Sequence, residues 1–386
     1  MFTLRAAMRL FASSLFALTL ALALPIAARA DDLPQPPALM AHAWLLTDIE
    51  SGQAITGRND DERAAPASLT KLMTAYLVFS AMKSGALTAD HRVTVSEHAW
   101  KQGGSRMFLQ PGKPVTVGEL LRGLIVLSGN DAAVALAETV AGSEEAFVEK
   151  MNSEAASLGM KDTHFANATG WSDPQHYSTA RDLTTLAIAL LRDFPGHFDL
   201  YSTKTYGYNG IMQQNRNRLL WLDPHVDGIK TGYTEKAGYC IIATANRNGR
   251  RLLAVVLGAG SDGARAREAQ TLLNYGYQAY DSVRLYEAGH AVGKVRIWKG
   301  ADDELGAGVV RDLYVTFPRG WAARLTANFV SVQPIVAPVA AGQRVGTIRL
   351  LLDGKPFGEY PVVALANVPV AGFFKRTADS VRLWLK

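Results

Sequence analysis

The stretch PASLTKLMTA, residues 66–75, opens the first long helical pattern of the chain. Apolar residues recur at helical spacing over residues 69–82 and the pattern stops at Gly85, which predicts one helix. Ser68 and Lys71 are three residues apart, so they lie on one face of that helix, one turn apart. A serine needs a base within hydrogen-bond reach to act as a nucleophile, and a helix N-terminus favours negative charge. The stretch therefore predicts a helix that begins with a candidate nucleophile and its base.

The same Ser-x-x-Lys spacing occurs a second time, at Ser80 and Lys83. This copy falls at the C-terminal end of the predicted helix, where the free backbone groups are carbonyls rather than N–H groups. We expect it to lie on the surface. Because the spacing occurs twice, the motif needs support from elsewhere in the chain.

Two further short motifs give that support. Ser128-Gly129-Asn130 interrupts an apolar helical stretch that runs over residues 117–140. Lys230-Thr231-Gly232 precedes a predicted strand by a few residues. Each motif alone is compatible with an ordinary capped loop or turn, but the order Ser-x-x-Lys, Ser-x-Asn, Lys-Thr-Gly argues against coincidence. Related sets of motifs occur in β-lactamases and penicillin-binding proteins.

The composition limits the class of protein. The chain has 386 residues, of which 48% are hydrophobic and 19% are charged, and its one cysteine is Cys240. That length is enough for about two or three domains, each with its own core. The composition excludes a disordered acidic tail, a collagen-like repeat and a disulfide scaffold. Cys240 lies in an apolar run and is predicted to be a buried strand residue.

The N-terminus carries the features of an export signal over residues 1–30. Arg5 and Arg9 precede an apolar run, residues 10–28, and small residues flank position 29. An uncleaved membrane anchor is the alternative, because the run is almost long enough to span a bilayer. Removal of residues 1–30 would take away three arginines and no acidic residue, which lowers the formal charge from +5 to +2. The remaining charge gives little support to nucleic-acid binding.

The rest of the chain divides into three parts. Residues 31–283 mix helix and strand patterns, including a hairpin signal at Asn248-Gly249, and predict alanine-rich helices around a small antiparallel sheet. Residues 284–370 carry only strand-like runs between Gly, Pro and Asp residues, which predicts a small all-β sandwich. Residues 371–386 predict a terminal helix.

This terminal helix is amphipathic. Its apolar side consists of Phe373, Phe374, Thr377, Val381, Trp384 and Leu385, and its charged side of Lys375, Arg376, Asp379, Arg382 and Lys386. It is too short to span a bilayer, but an aromatic face with a cationic opposite face is typical of a helix that binds anionic lipid. A helix packed on its own domain is the alternative, and Leu383 lies away from the apolar side.

On these residues the chain resembles the low-molecular-mass penicillin-binding proteins that act as D-alanyl-D-alanine carboxypeptidases. Besides the three motifs, the resemblance includes MFLQPG at residues 107–112, MKDTHF at 160–165 and VDGIKTG at 226–232. It implies an α/β (α+β) penicillin-binding/β-lactamase-like catalytic domain, a small C-terminal all-β sandwich domain and a membrane-anchoring helix. It also implies removal of the terminal D-alanine from peptidoglycan pentapeptide stems, with covalent inhibition by β-lactams.

The resemblance further implies roles for individual residues. Ser68 would form the acyl-enzyme and Lys71 would accept its proton, helped by Lys230 as a second cation nearby. Ser128 would relay a proton to the departing D-alanine, and Asn130 would orient the substrate amide.

The implied substrate-binding residues are Lys230, Thr231, Gly232, Tyr233 and Arg265. Lys230 and Thr231, with Arg265, would hold the terminal carboxylate of the substrate. The backbone N–H groups of Ser68 and Tyr233 would form the oxyanion hole. Many relatives have a histidine where this chain has Tyr233, which leaves a side-chain role at this position open.

The implied partners are the peptidoglycan stem peptide, β-lactam antibiotics and inner-membrane lipid, at the periplasmic face of the bacterial inner membrane. No cofactor, metal or nucleic acid is expected, since the eight histidines include no His-x-x-x-His pair. Three alternatives stay open: an endopeptidase that cuts D-alanyl cross-links, a β-lactamase-like enzyme, and a non-catalytic penicillin-binding sensor. A class A β-lactamase is disfavoured because no Glu-x-x-Leu-Asn-like segment occurs between residues 131 and 229.

Overall fold

The computed structural model describes residues 33–385, so the predicted export signal lies outside the described residues. From Pro36 onward these residues belong to one compact unit. Within the described part of the chain, no helix combines the length and the apolarity needed to cross a membrane.

A five-stranded antiparallel sheet forms the centre of the first part, in the order β2-β1-β9-β8-β7. Two short two-stranded sheets, β3-β4 and β5-β6, lie outside it. The strands are β1 Ala43–Asp48, β2 Ala54–Arg58, β3 Arg92–Thr94, β4 Pro114–Thr116, β5 Thr205–Tyr208, β6 Ile211–Gln214, β7 Val226–Thr234, β8 Gly238–Arg247 and β9 Arg250–Ala259. The hairpin predicted at Asn248-Gly249 is confirmed, and both residues take the positive φ that such a turn requires.

The helices of this part are α1 Lys71–Lys83, α2 Glu97–Trp100, α3 Val117–Val126, α4 Asn130–Ala141, α5 Glu144–Leu158, α6 Ala180–Asp193, α7 Asp199–Ser202, α8 Leu219–Leu222 and α9 Asp262–Ala279, with 3₁₀ turns at Ala67–Thr70 and Pro195–His197. The first long helix begins two residues later than the sequence predicts. The nucleophile candidate therefore lies in the 3₁₀ turn, not in the α-helix, although Ser68 and Lys71 still fall on one side.

The central sheet has a core on each face, because consecutive strand residues point to opposite sides. On β9, Leu253 and Val255 pack into the core that holds α1 and α3 to α6. Leu252 and Ala254 point the other way, against α9. Cys240 is buried in β8, as predicted.

The second part is β-rich and has its own core. Its elements are β10 Tyr280–Tyr286, β11 Ala291–Trp298, β12 Glu304–Gly308, β13 Leu313–Pro318, the 3₁₀ turn Ala322–Arg324, β14 Leu325–Ser331, β15 Ile335–Val336, β16 Arg344–Leu352, β17 Lys355–Ala364 and α10 Phe373–Trp384. A six-stranded sheet, β14-β16-β17-β12-β11-β15, faces the pair β10-β13 across that core. The predicted fold class, a mixed α/β part followed by a β-rich part, is confirmed. Strand β10 continues directly from α9 and runs through position 283, where the sequence places the domain boundary.

Helix α10 packs on the β-rich part through one narrow face. Lys375, Asp379 and Leu383, each four residues apart, are the half-buried or buried positions of the helix. The Asp379 carboxylate accepts a hydrogen bond from the Lys299 backbone N–H at 2.7 Å, and Lys375 Nζ lies 3.0 Å from Asp303. This docking explains why Leu383 lies off the apolar side, and it corrects the placement of Asp379 on a solvent-facing side.

Candidate active site

Helix α1 runs through the helical core and carries Lys71 at its first position. All but one of its first nine residues are buried, which is possible because the helix is apolar nearly all round. Lys71 is only 1% exposed, whereas Ser68, in the preceding 3₁₀ turn, is half-buried. The second Ser-x-x-Lys pair, Ser80 and Lys83, is exposed at the other end of the helix, as expected.

Lys71 makes three hydrogen bonds at the floor of a cleft. Its Nζ lies 2.9 Å from Ser68 Oγ, 2.7 Å from Asn130 Oδ1 and 2.6 Å from the backbone oxygen of Thr169. Thr169 belongs to the loop that precedes α6. The lysine therefore connects the candidate nucleophile with the Ser-x-Asn turn and with this loop.

The Ser-x-Asn motif forms the turn between α3 and α4. Ser128 takes a positive φ of 59°, which bends the chain sharply and directs both motif side chains into the cleft. Asn130 also donates from Nδ2 to the backbone oxygen of Gly103 at 2.7 Å. Asp131 is buried and accepts hydrogen bonds from the N–H groups of Met107 and Leu109, which ties the neighbouring loop to the turn.

Strand β7 forms the opposite wall of the cleft. Lys230 Nζ donates to Ser128 Oγ at 2.8 Å, and both side chains are buried. Two glycines allow the loop before α6 and strand β7 to approach the backbone around Ser68. A Cβ on Gly170 would lie 1.9 Å from the Ala67 oxygen, and one on Gly232 would lie 3.1 Å from Ser68 N. Ser68, Lys71, Ser128 and Lys230 therefore meet in one cleft although they are far apart in the sequence.

The pKa values of the Lys71 and Lys230 amines are lower than usual. Burial, together with the smaller effect of the positive charge of Arg216, lowers the pKa of Lys71 from 10.5 to about 7, although the Asp131 carboxylate acts in the opposite direction. Burial also lowers the pKa of Lys230 well below its usual value, with the charges of Lys71, Arg216 and Arg265 acting in the same direction. The sequence assigns the second cation beside Lys71 to Lys230. Of the positive charges, that of Arg216 lowers the pKa of Lys71, and the assignment of Lys230 as the second cation stays a prediction.

Comparison with known proteins identifies the family. The family described as D-alanyl-D-alanine carboxypeptidase matches residues 30–261, and the one described as penicillin-binding protein 5, C-terminal domain, matches residues 280–370. D-alanyl-D-alanine carboxypeptidase DacA of Escherichia coli (strain K12) is 40% identical over 371 residues, which cover 92% of each chain. The chain belongs to the D-alanyl-D-alanine carboxypeptidase family.

Solved structures agree with this assignment. Penicillin binding protein 5 from Haemophilus influenzae superposes with a TM-score of 0.84 at 37% identity, covering 87% of this chain and 99% of that chain. Penicillin-binding protein D2 from Listeria monocytogenes, in a cefotaxime-bound form, has a TM-score of 0.59 at 32% identity and covers 63% of this chain and 100% of that chain. The predicted enzyme class, a D-alanyl-D-alanine carboxypeptidase, is confirmed.

The remaining substrate-binding candidates of the carboxypeptidase also line the cleft, in different ways. Thr231 is buried beside Lys230, whereas the Tyr233 ring is half exposed and packs on Tyr239 with ring centroids 4.4 Å apart. Arg265 is 4% exposed, and its guanidinium donates to the Gly232 oxygen at 2.8 Å and to Asp262 at 2.5 Å. Arg265 thus supports the back of strand β7 as well as lining the end of the cleft.

The cleft, of about 1390 Å³, also contains residues that sequence reasoning missed. Arg216 lines it without belonging to any motif, and Trp171 and Trp221 supply exposed aromatic surface. Thr169 could not be found from its residue type, because it acts through a backbone oxygen that every residue has. Among residues 33–385, no group of His, Cys, Asp and Glu side chains is arranged to hold a metal ion.

Proposed function

We propose that the carboxypeptidase works through an acyl-enzyme on Ser68, with Lys71 as the base. The observation that carries this proposal is the set of partners around Lys71. A neutral amine has two N–H bonds and one lone pair. The oxygens of Asn130 and Thr169 can only accept, so they take both N–H bonds. The lone pair is left for the hydroxyl of Ser68, 2.9 Å away.

The reaction then proceeds in two displacements. Ser68 Oγ attacks the carbonyl between the terminal D-alanines while its proton passes to Lys71. The bond to the terminal D-alanine breaks, and its amine takes a proton through Ser128, which accepts a hydrogen bond from Lys230. Lys71 then releases the proton it received to solvent, takes a proton from the water that attacks the ester, and passes it to Ser68 Oγ as the acyl–oxygen bond breaks, while Lys230 regains its proton from solvent. The backbone N–H groups of Ser68 and Tyr233 would stabilise the oxyanion, and Asn130 would orient the substrate amide.

The terminal carboxylate of the stem peptide would bind at the Lys-Thr-Gly end of the cleft. Thr231 offers a hydroxyl there, and Gly232 lets strand β7 approach the nucleophile. The charges of Arg216 and Arg265 favour an anion at this place. A bound carboxylate would raise the pKa of Lys230 towards its usual value, which prepares this amine to supply the leaving-group proton.

β-Lactams would acylate the same serine, because their carboxylate and strained amide imitate the D-alanyl-D-alanine end. A penicillin-binding relative of the same fold is known in a cefotaxime-bound form. Ser68→Ala should abolish labelling by a fluorescent penicillin and release of D-alanine. Ser80→Ala, a matched change in the exposed second motif, should leave both at the wild-type level. Labelling that persists in Ser68→Ala would place the nucleophile elsewhere.

Leaving-group preference is tested with two substrates. Release of D-alanine from a monomeric pentapeptide is the expected activity. Cleavage only of cross-linked dimers would show that the enzyme acts instead as an endopeptidase.

We also propose that α10 holds the enzyme on the periplasmic face of the inner membrane. Most of its apolar residues are exposed: Phe374 and Trp384 are 88% and 85% exposed, while the helix packs on the β-rich part through Asp379. Arg376 and Arg382 are exposed on the charged side of the helix and suit anionic headgroups. Residues 31–283 would be the catalytic domain, and residues 284–370 would keep it at a distance from the lipid.

Lipid binding is tested by co-sedimentation of the full chain with vesicles of phosphatidylglycerol and phosphatidylcholine. Wild type should bind the anionic vesicles. Phe374→Glu with Trp384→Glu should stay in the supernatant, whereas Thr326→Glu with Asn328→Glu, which adds the same charge at exposed positions of the β-rich part, should bind better than that variant. Equal binding of wild type and the aromatic double variant would reject the proposal.

A further inference from the structure

A loop over residues 164–177 covers the first turn of α1. Its two ends are joined by backbone hydrogen bonds between His164 and Tyr177. Three consecutive contacts connect the loop to the helix: Thr74 Oγ1 donates to the Ala168 oxygen, Lys71 donates to the Thr169 oxygen, and Thr70 Oγ1 meets His176 Nε2 at 2.7 Å. The acceptor that helps to orient Lys71 therefore depends on where this loop sits.

On the loop side of these three contacts, His176 is the one ionisable side chain. Its hydrogen-bond partners determine its tautomer. It is 3% exposed, and its Nδ1 accepts the backbone N–H of Ala166 at 3.1 Å. Nδ1 must therefore lack a proton, so that Nε2 carries it and donates to Thr70 Oγ1. The ring thus joins the loop and the helix by two hydrogen bonds of fixed direction.

We propose that His176 is a positioning residue for the acylation step: in its neutral form it holds the 164–177 loop on α1, and so keeps the Thr169 oxygen on Lys71 and water away from that amine. The proposal rests on the roles proposed above for Ser68 and Lys71. His176 does not itself contact the nucleophile; it acts through Thr70 on one side and Ala166 on the other.

The electrostatic surroundings of His176 are consistent with a permanently neutral ring. Burial lowers the pKa of His176 to about 4; the charged groups that face it are Asp173, which raises the pKa, and His164 and Lys71, which lower it. A protonated ring would turn Nδ1–H towards the Ala166 N–H and break that contact. The loop contact should therefore hold over the whole range in which Lys71 titrates.

The test compares the pH profile of acylation in full-length variants, measured with a fluorescent penicillin. His176→Phe keeps a planar ring but loses both hydrogen bonds. Since burial is the main cause of the low pKa of Lys71, water entry should move the midpoint of the profile upward by about one pH unit, which lowers the rate at pH 7 by about fivefold. His176→Gln can still donate and accept, and should recover most of the rate. His164→Gln, a histidine in the same loop that does not touch α1, is the matched control and should behave as wild type.

The route through Thr70 is tested separately. Thr70→Val should reproduce the shift, Thr70→Ser should not, and the double variant with His176→Phe should be no slower than the slower single variant. The inference is overturned if His176→Phe leaves the midpoint unchanged, or if the losses add in the double variant. If His176→Phe does not fold, as judged by thermal unfolding, the Thr70 pair decides by the same readout. A wild-type enzyme that is not labelled at all would instead refute the proposed nucleophile.

Discussion

The low pKa of Lys71 predicts how acylation depends on pH. The neutral amine is the reactive form, so the acylation rate should rise with pH and reach half its plateau near pH 7, where burial and Arg216 place the pKa of Lys71. A free lysine would be neutral in only about one molecule in three thousand at that pH. Burial in the α1 core therefore increases the fraction of neutral, reactive Lys71 roughly a thousandfold.

The expected slope follows from the same pKa. At pH 8 about 90% of the amines are neutral and at pH 5 about 1%, so the rate should fall about 100-fold between these values. The same pKa shift determines how the free energy of unfolding depends on pH. The pKa of Lys71 is lower in the folded than in the unfolded chain, so the unfolded chain binds more protons between about pH 7 and 10.5. The contribution of Lys71 to the free energy of unfolding therefore becomes more favourable as pH rises through that window.

The assay is the second-order rate of labelling by a fluorescent penicillin from pH 5 to pH 9. Lys71→Arg keeps a positive charge but removes the base, because arginine stays protonated at every pH tested. Labelling should fall at least about 1,000-fold. Lys83→Arg makes the same change at the exposed end of α1 and should keep the wild-type profile. A rate that is flat from pH 5 to pH 9, or that survives in Lys71→Arg, would refute the assignment of Lys71 as the base.

Three further substitutions test the surrounding structure. Gly170→Ala would place a Cβ 1.9 Å from the Ala67 backbone oxygen, beside the nucleophile, and should slow acylation about 100-fold. Gly142 has the same φ of 84° but nothing lies within 4 Å of its Cβ position, so Gly142→Ala should keep the wild-type rate. Equal acylation rates in the two variants would contradict the argument that Gly170 is needed for close backbone approach. Asp131→Asn leaves a buried N–H without an acceptor and should lower the free energy of unfolding in urea by about 1–3 kcal/mol, whereas the exposed Asp90→Asn should change it by less than about 0.5 kcal/mol. Asp379→Ala should make α10 cleave faster in limited proteolysis with D-alanine release unchanged, and unchanged cleavage would deny that this carboxylate docks the helix.

Ser68, Lys71, Ser128 and Asn130 could be predicted from the sequence because each lies in a short local motif. Ser68 and Lys71 are one turn apart, and the break at residues 128–130 in an apolar stretch marks the turn between α3 and α4. Neither feature depends on the rest of the fold. The convergence of these motifs with Lys230 is a property of the tertiary structure, and only the resemblance to a family made it an expectation.

What could not be predicted acts through the backbone or through long-range packing. Thr169 contributes a backbone oxygen, which every residue type has. Arg216 lies in a segment without any motif and acts on the lysines through its charge. The face by which α10 docks was missed for a different reason. Amphipathic analysis counts Asp379 as polar and therefore solvent-facing, whereas one satisfied hydrogen bond to Lys299 is enough to bury it.

The position of the cleft explains how two lysines can be buried without carboxylate partners. Within residues 33–385, neither Lys71 nor Lys230 forms an ion pair. Burial therefore disfavours the charged form of each amine, and burying them in this way destabilises the fold. The cleft lies where the helical core ends against β7, the outermost strand of the five-stranded sheet. The amines are desolvated by their packed neighbours, yet a substrate can reach Ser68 and Ser128, which line the cleft and contact Lys71 and Lys230. A more stable arrangement would pair each amine with a carboxylate, and that partner would raise the pKa of Lys71 and remove the base.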